Sequence, residues 1–559
     1  MISPKPSGGG RRVYTGVILV LVCLVWLLGA VWYPLPFWQL SGDYSWYSLS
    51  HAITLEARVG GFEASNLGYK VHPGVPFGLA SWVSLRLATP TSHGTEERIA
   101  YGIEHAEEYW LWAKTTALVV NLWGLFMMGF WFRPGCKHYL LAAGAFAAAL
   151  PAWYHVALFQ LSIESLALVY VTSVFAMGYL TLAPPSGVNA VMGRSVIGTD
   201  RLRDLSAVGV GAITAVGCSM KIYYMAPTIG LWCGALVAGG LGSLPWWRLG
   251  RSALLCAGGF VLTLACLVQT ILDWSIFGEW FRWNWQMVSH AGRYGTAEAG
   301  FPSLSVVWDA MKDLSLSTSG SFPVLVAGAC MFSGLAVWNH RHEWEWLGAY
   351  CPFACAVLVA IVINGVGFLK HYSPLSQHYG IIIAASLPCL VFIMAADQAS
   401  KTPVTLFTWA VACFLAATLF NVASIHARQL SNSADVLSDL RLIESLPLAD
   451  GERRVWAYFS PAKQGVVPLI AQYAGTRLVS HFVERAGGVD TVPDQYPQAE
   501  HWRYLVFPKS YYPTKEAVLR QYMDMFDFRS TRYRLTEKMK FTELKAFILV
   551  EQQEANEKS

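Results

Sequence analysis

The chain has 559 residues, is 54% hydrophobic and only 14% charged, and has a mean hydropathy of +0.39. Soluble domains carry about 25% charged residues, so this composition excludes an ordinary soluble globule and describes a membrane protein. A formal net charge of +4 excludes the broad basic field that nucleic acid would need.

A membrane-spanning helix needs about 20 mostly apolar residues. That rule gives eleven candidate helices, near 14–34, 112–132, 138–153, 157–183, 205–219, 222–242, 251–273, 321–338, 346–367, 378–396 and 403–421. The first apolar run, Val13 to Tyr33, follows Arg11 and Arg12. It is long for a secretory signal and lacks a small-residue cleavage site, so it reads as a retained anchor. One set of connections is short and basic: Lys5/Arg11/Arg12, Arg133/Lys137, Arg194/Arg201/Arg203, Arg248/Arg251, Arg341 and Lys401. The excess of Lys and Arg places this set on the cytoplasmic side. The other set is then outside: 35–111, the His155 and Lys221 turns, 274–320, 368–377 and everything after 422.

Two outside loops are too long to be mere links. Loop 35–111 contains an amphipathic run, Val75 to Leu87, suited to lying in the membrane interface. Loop 274–320 is rich in Trp and Gly, including Trp280, Trp283 and Trp285. Long loops on a rigid scaffold carry function or are disordered, and these are too aromatic for disorder. From about 425 the composition turns polar. Strand-like runs lie at 455–459, 504–507 and 545–550, with helical stretches near 464–474 and 514–525. The expected fold class is a polytopic α-helical membrane protein of about eleven spans, residues 1–422, with a small α/β domain at 423–559 on the outer face. Cysteines such as Cys218, Cys256, Cys330 and Cys389 sit in apolar spans, which argues for small hydrophobes rather than a disulfide framework.

The residues with chemical potential fall on the outside. Asp43 follows the first span, among Tyr44, Trp46 and Tyr47. Its two readings are a catalytic base and a helix N-cap or surface charge. Glu164 lies near the outer end of the fourth candidate helix, either as a functional carboxylate or as a charge paired inside the bundle. Lys221 interrupts two apolar segments, and Arg293 is flanked by Gly292 and Gly295. Lys370, His371, Tyr372, His378 and Tyr379 cluster before a late helix. Singly, such groups are snorkelling anchors. Together on one face they suit a phosphate ester, which needs cationic and hydrogen-bonding donors. His371 and His378 lack metal-binding helical spacing, and no P-loop, dinucleotide fingerprint or Ser/His/Asp triad is legible.

These features resemble the GT-C superfamily of polyprenyl-phosphate-dependent glycosyltransferases, which includes protein O-mannosyltransferases and lipid A aminoarabinose transferases. The similarity rests on Asp43 soon after the first helix, the Asn66–Pro76 stretch in a long first loop, a second acid at Glu164, and the Lys370–Tyr379 motif. It covers roughly residues 1–422. The first loop lacks the adjacent Asp-Glu pair of the mannosyltransferases, which points away from transfer of mannose to protein. The resemblance implies an inverting, metal-independent transfer of one sugar, without a cofactor, from a polyprenyl monophosphate to a hydroxyl of a glycan, lipid or protein at the outer face of the inner membrane. Asp43 would be the base, and Glu164 and Tyr47 would position acceptor or base. Lys221, Arg293, Lys370, His371 and His378 would bind the donor phosphate. Glu63 is the reserve carboxylate in the first loop. Rival readings are a flippase for a lipid-linked saccharide, a polymer ligase using a lipid diphosphate, and a structural subunit whose tail binds a partner. One-sided charges and the absence of repeated halves weigh against the flippase. Reporter fusions at residues 190 and 440 are expected to fall on opposite sides of the membrane, and finding both on one side would overturn this topology.

Overall fold

The computed structural model describes residues 46–61, 75–131, 166–182, 199–269, 344–370, 434–443, 445–449, 453–457, 470–474, 477–481, 485–486, 489–490, 502–509, 514–518 and 539–552, with isolated positions at 277–278, 281–282, 330, 334, 338, 386, 389–390 and 431. Contacts divide the chain into two compact units. One comprises Met1–Pro34, Lys70–Phe77 and Lys114–Ile425, and the other Leu35–Tyr69, Gly78–Ala113 and His426–Ser559.

Helices come first in chain order: α1 (Trp46–Val59), α2 (Val75–Ala88), α3 (Thr95–Glu104), α4 (Ala106–Trp131), α5 (Ala167–Leu182), α6 (Thr199–Met220), α7 (Ala226–Gly240), α8 (Trp246–Leu267) and α9 (Trp344–Lys370). A 3-10 turn, Ile222–Met225, separates α6 from α7. Among the described residues, Ile222–Gly240 and Trp246–Leu267 are long and apolar enough to cross a membrane. The expected spans near 14–34, 138–153, 378–396 and 403–421 lie outside the described residues, apart from isolated positions in the 378–396 span, and only isolated positions of 321–338 are described. The interfacial run expected at Val75–Leu87 is α2.

In the first unit, small residues let helix backbones touch. Without a hydrophobic force between helices in lipid, close approach and packing must hold a bundle together. Gly230 and Gly234, four residues apart on α7, face α9. A Cβ at Gly230 would lie 2.3 Å from the Cys355 carbonyl oxygen, and one at Gly234 would lie 2.5 Å from Pro352 Cα. The α6–α8 pair is reciprocal: Gly259 packs on the Val208 carbonyl, and Gly211 on that of Cys256. The opposite face of α8 is apolar yet exposed, with Leu254, Val261 and Leu262 at 76%, 64% and 66%. Burial of Ser252, Cys256 and Gly259 against exposure of leucine and valine inverts the soluble pattern and suits a lipid-facing surface.

In the second unit, a six-stranded sheet has the order β3-β2-β1-β6-β8-β7. Its strands are β1 (Arg453–Ala457), β2 (Ile470–Ala474), β3 (Arg477–His481), β6 (Trp502–Pro508), β7 (Met539–Glu543) and β8 (Phe547–Gln552), while β4 (Arg485–Ala486) and β5 (Val489–Asp490) form a separate pair. Among the described residues, β1 and β6 are the one parallel pair of this sheet. Phe547, Ile548, Leu549 and Val550 are all buried, so β8 is covered on both faces. The helical stretch 434–443 is tied to the β7–β8 turn: Ala546 N–H donates to Asp439 Oδ2 at 2.6 Å, and Lys545 Nζ meets Asp435 Oδ1 at 2.6 Å. Of the helix expected near 464–474, residues 464–469 lie outside the described residues, and 470–474 is corrected by β2, which pairs with both β1 and β3. Pro468 disfavours a helix there, and a short apolar run takes its conformation from the strands it pairs with.

Neighbouring glycines on α8 provide a test of the bundle packing. Gly259→Ala must displace the α6 backbone and is expected to cost about 1–3 kcal/mol. Gly258, where an added Cβ meets nothing within 4 Å, should tolerate alanine without loss. Thermal unfolding of the two purified variants checks this, and equal melting would refute the close α6–α8 contact.

Candidate functional site

The first-loop helices are assembled around one buried carboxylate. Ser48, Leu49, Ala52, Ile53 and Glu56 recur at helical spacing on α1 and are all buried. Glu56, with no side-chain exposure, accepts from Arg86 Nε at 2.7 Å and Arg86 Nη2 at 2.9 Å. It also accepts from Trp82 Nε1 at 2.7 Å and Arg98 Nη1 at 3.2 Å. One carboxylate therefore joins α1, α2 and α3, and the Arg86 guanidinium rests 5.0 Å from the Trp82 ring. Burial acts to raise the Glu56 pKa, but the donors from Arg86, Trp82 and Arg98 outweigh it and hold the group below the ordinary glutamate value.

Nearer the start of α1, the Ser48 hydroxyl bonds to Tyr109 Oη and to Ser81 Oγ, the latter at 3.1 Å. Burial pushes the Tyr109 phenol well above its usual value, so it stays protonated. Leu49, Leu85 and Gly102 meet where the three helices come together. On the outer side of α2, Leu79, Val83 and Leu87 form an exposed apolar stripe at four-residue intervals.

Within the membrane unit, Lys221 stands at a break between two apolar helices. Its backbone is extended, with φ −156° and ψ 140°, so α6 stops at Met220. The 3-10 turn follows, and α7 restarts with Pro227 in its first turn. Lys221 N–H still donates to Gly217 O at 3.1 Å, and Tyr224 N–H donates to Lys221 O at 3.0 Å. The half-buried side chain places Nζ 5.7 Å from the Tyr223 ring centroid.

Of the residues singled out in the sequence, Lys221 has its side chain in the described structure. Tyr47 is the second residue of α1, and Lys370 is the last residue of α9. Asp43, Glu63, Glu164, Arg293, His371 and His378 lie outside the described residues. No group of three metal-ligating side chains occurs among the described residues. Sequence reading missed Glu56 and its arginines. The available signal was an acid in phase with Leu49, Ala52 and Ile53 on the apolar face of a short helix.

No protein-family model matches the chain, and no curated protein matches it in sequence. Solved structures are similar to it to different degrees. ArnT from Cupriavidus metallidurans in the apo state gives a TM-score of 0.50 at 14% identity, over 97% of this chain and 98% of that one. The same protein bound to undecaprenyl phosphate gives 0.47 at 14% identity over the same shares, 97% and 98%. The apo oligosaccharyltransferase of Archaeoglobus fulgidus gives 0.43 at 13% identity, over 74% of this chain and 56% of that one. The likeness to apo ArnT, spanning nearly all of both chains, shows a shared fold.

The Glu56 hub predicts a defined pH dependence. Because its folded pKa is lowered, its contribution to stability is fully present above the unfolded glutamate value and disappears as pH falls through the folded one. Glu56→Gln leaves two guanidinium groups facing a neutral amide and is expected to cost about 3 kcal/mol at neutral pH. The gap in thermal stability between wild type and variant should narrow steadily on acidification below the glutamate range. A gap independent of pH would show that the carboxylate charge is not what binds the three helices.

Proposed function

We propose that this protein is a GT-C-type glycosyltransferase that moves a single sugar from a polyprenyl monophosphate to an acceptor hydroxyl on the outer face of the inner membrane. A shared fold does not by itself assign chemistry. The observation that carries the reading is Lys221: a half-buried cation at a break between two membrane helices, where a lipid-borne phosphate can meet it. The exposed stripe of Leu79, Val83 and Leu87 supports an α2 that lies against the bilayer, at the level of lipid-linked substrates. Residues 423–559 form the outer-face domain in this reading.

The chemistry balances without redox change. The acceptor hydroxyl gives its proton to the Asp43 carboxylate as its oxygen attacks the anomeric carbon. The bond from that carbon to the phosphate oxygen breaks, and the phosphate leaves with the electron pair. Attack opposite the leaving group inverts the anomeric centre. Lys221, Arg293, Lys370, His371 and His378 supply the cations and donors that offset the charge gathering on the phosphate. Glu164 and Tyr47 position the acceptor or the base. Cationic side chains do this work without a metal.

Asp43→Asn keeps the size and hydrogen bonding of the side chain but cannot take the proton. The purified variant should fold and bind donor, yet transfer at least about a hundredfold more slowly. Wild-type transfer rates from this variant would refute Asp43 as the base and shift attention to Glu164 or Glu63.

A further inference from the structure

The 3-10 turn after Lys221 is held by a residue on another helix. Tyr170 of α5 is buried, and its hydroxyl donates to the Tyr224 carbonyl at 2.5 Å. Its ring meets the Tyr224 ring edge to face at 5.2 Å. The other edge of the same ring lies over Gly217, where an added Cβ would come within 2.3 Å of Tyr170 Cε2. Tyr170 thus touches the chain four residues before Lys221 and three residues after it. The hydroxyls of Thr214 and Thr228, which lie 2.8 Å apart, join α6 to α7 and also reach the Tyr170 phenol. The break is therefore bridged on its inner side while the Lys221 side chain remains half-exposed.

We infer that Tyr170 is the positioning residue for Lys221: by bridging Gly217 and Tyr224 it fixes the helix break from which the lysine ammonium reaches a lipid phosphate. This rests on the reading of Lys221 as a donor-phosphate ligand. The physical reason is that a break leaves donors and acceptors free, and several turn geometries could satisfy them. Each geometry would aim Lys221 differently. A buried phenol bonded to one chosen carbonyl selects a single geometry. Tyr170 itself needs no contact with the phosphate.

The test uses the purified full chain in detergent and undecaprenyl phosphate as the probe, with binding measured for four proteins. Lys221→Met should weaken binding about tenfold or more, the loss of one charge-assisted bond. Tyr170→Phe keeps the buried ring and removes only the hydroxyl. It should weaken binding several-fold in the wild-type background and have no further effect in the Lys221→Met background. Wild-type binding by Tyr170→Phe, or the same loss in both backgrounds, would overturn the positioning role and leave Tyr170 as packing alone. Wild-type binding by Lys221→Met would instead overturn Lys221 as the phosphate ligand. If Tyr170→Phe does not yield folded protein, Thr228→Ala removes a hydroxyl beside the phenol without touching the ring, and the same dependence on Lys221 is required of it.

Discussion

A turn that leads from one packed helix into the next must find partners for the backbone groups it frees, and the membrane unit shows how that constraint is met. The α6–α7 break is where it bites. Gly217, Lys221 and Tyr224 bond along the chain, and Tyr170 closes the set from α5. Three helices, α5, α6 and α7, thereby meet at one turn.

The rest of the membrane unit follows from its lipid solvent. Since lipid gives no hydrophobic force between helices, contact must come from close backbone approach. Gly230 and Gly234 set α7 against α9, and Gly211 and Gly259 set α6 against α8. The large apolar side chains are turned outward, as on α8. Helices built this way are rigid against one another because an added methyl group meets backbone rather than a yielding side chain.

The first-loop helices solve a related problem with charge. Taking a carboxylate out of water is costly unless its oxygens are filled, and Glu56 receives bonds from Arg86, Arg98 and Trp82. Short helices such as α1 and α3 are marginal alone, and a shared carboxylate gives them common anchorage. The Ser48–Ser81–Tyr109 hydroxyls add a second polar tie close to where α1 begins.

What the sequence alone determined is what depends on solvent and local pattern. Low charge and long apolar runs fixed a membrane protein, since the bilayer admits little else. The run 75–87 is the helix α2, and the strands near 455, 505 and 548 stand within two residues of their expected places, because periodicity is local. The helix break at Lys221 was legible because a charge is conspicuous among apolar neighbours. Tertiary structure alone decided the pairings between distant residues. Glu56 finds Arg86 and Arg98 at separations of 30 and 42 residues, and Tyr170 finds Tyr224 at 54. An acid in a polar loop and a tyrosine in an apolar helix look ordinary in one dimension. The strand at 470–474 belongs to the same class, since its partners β1 and β3 decided against a helix. In each case the deciding energy is a hydrogen bond or ion pair between segments that meet only when the chain folds back on itself, and no local pattern encodes it.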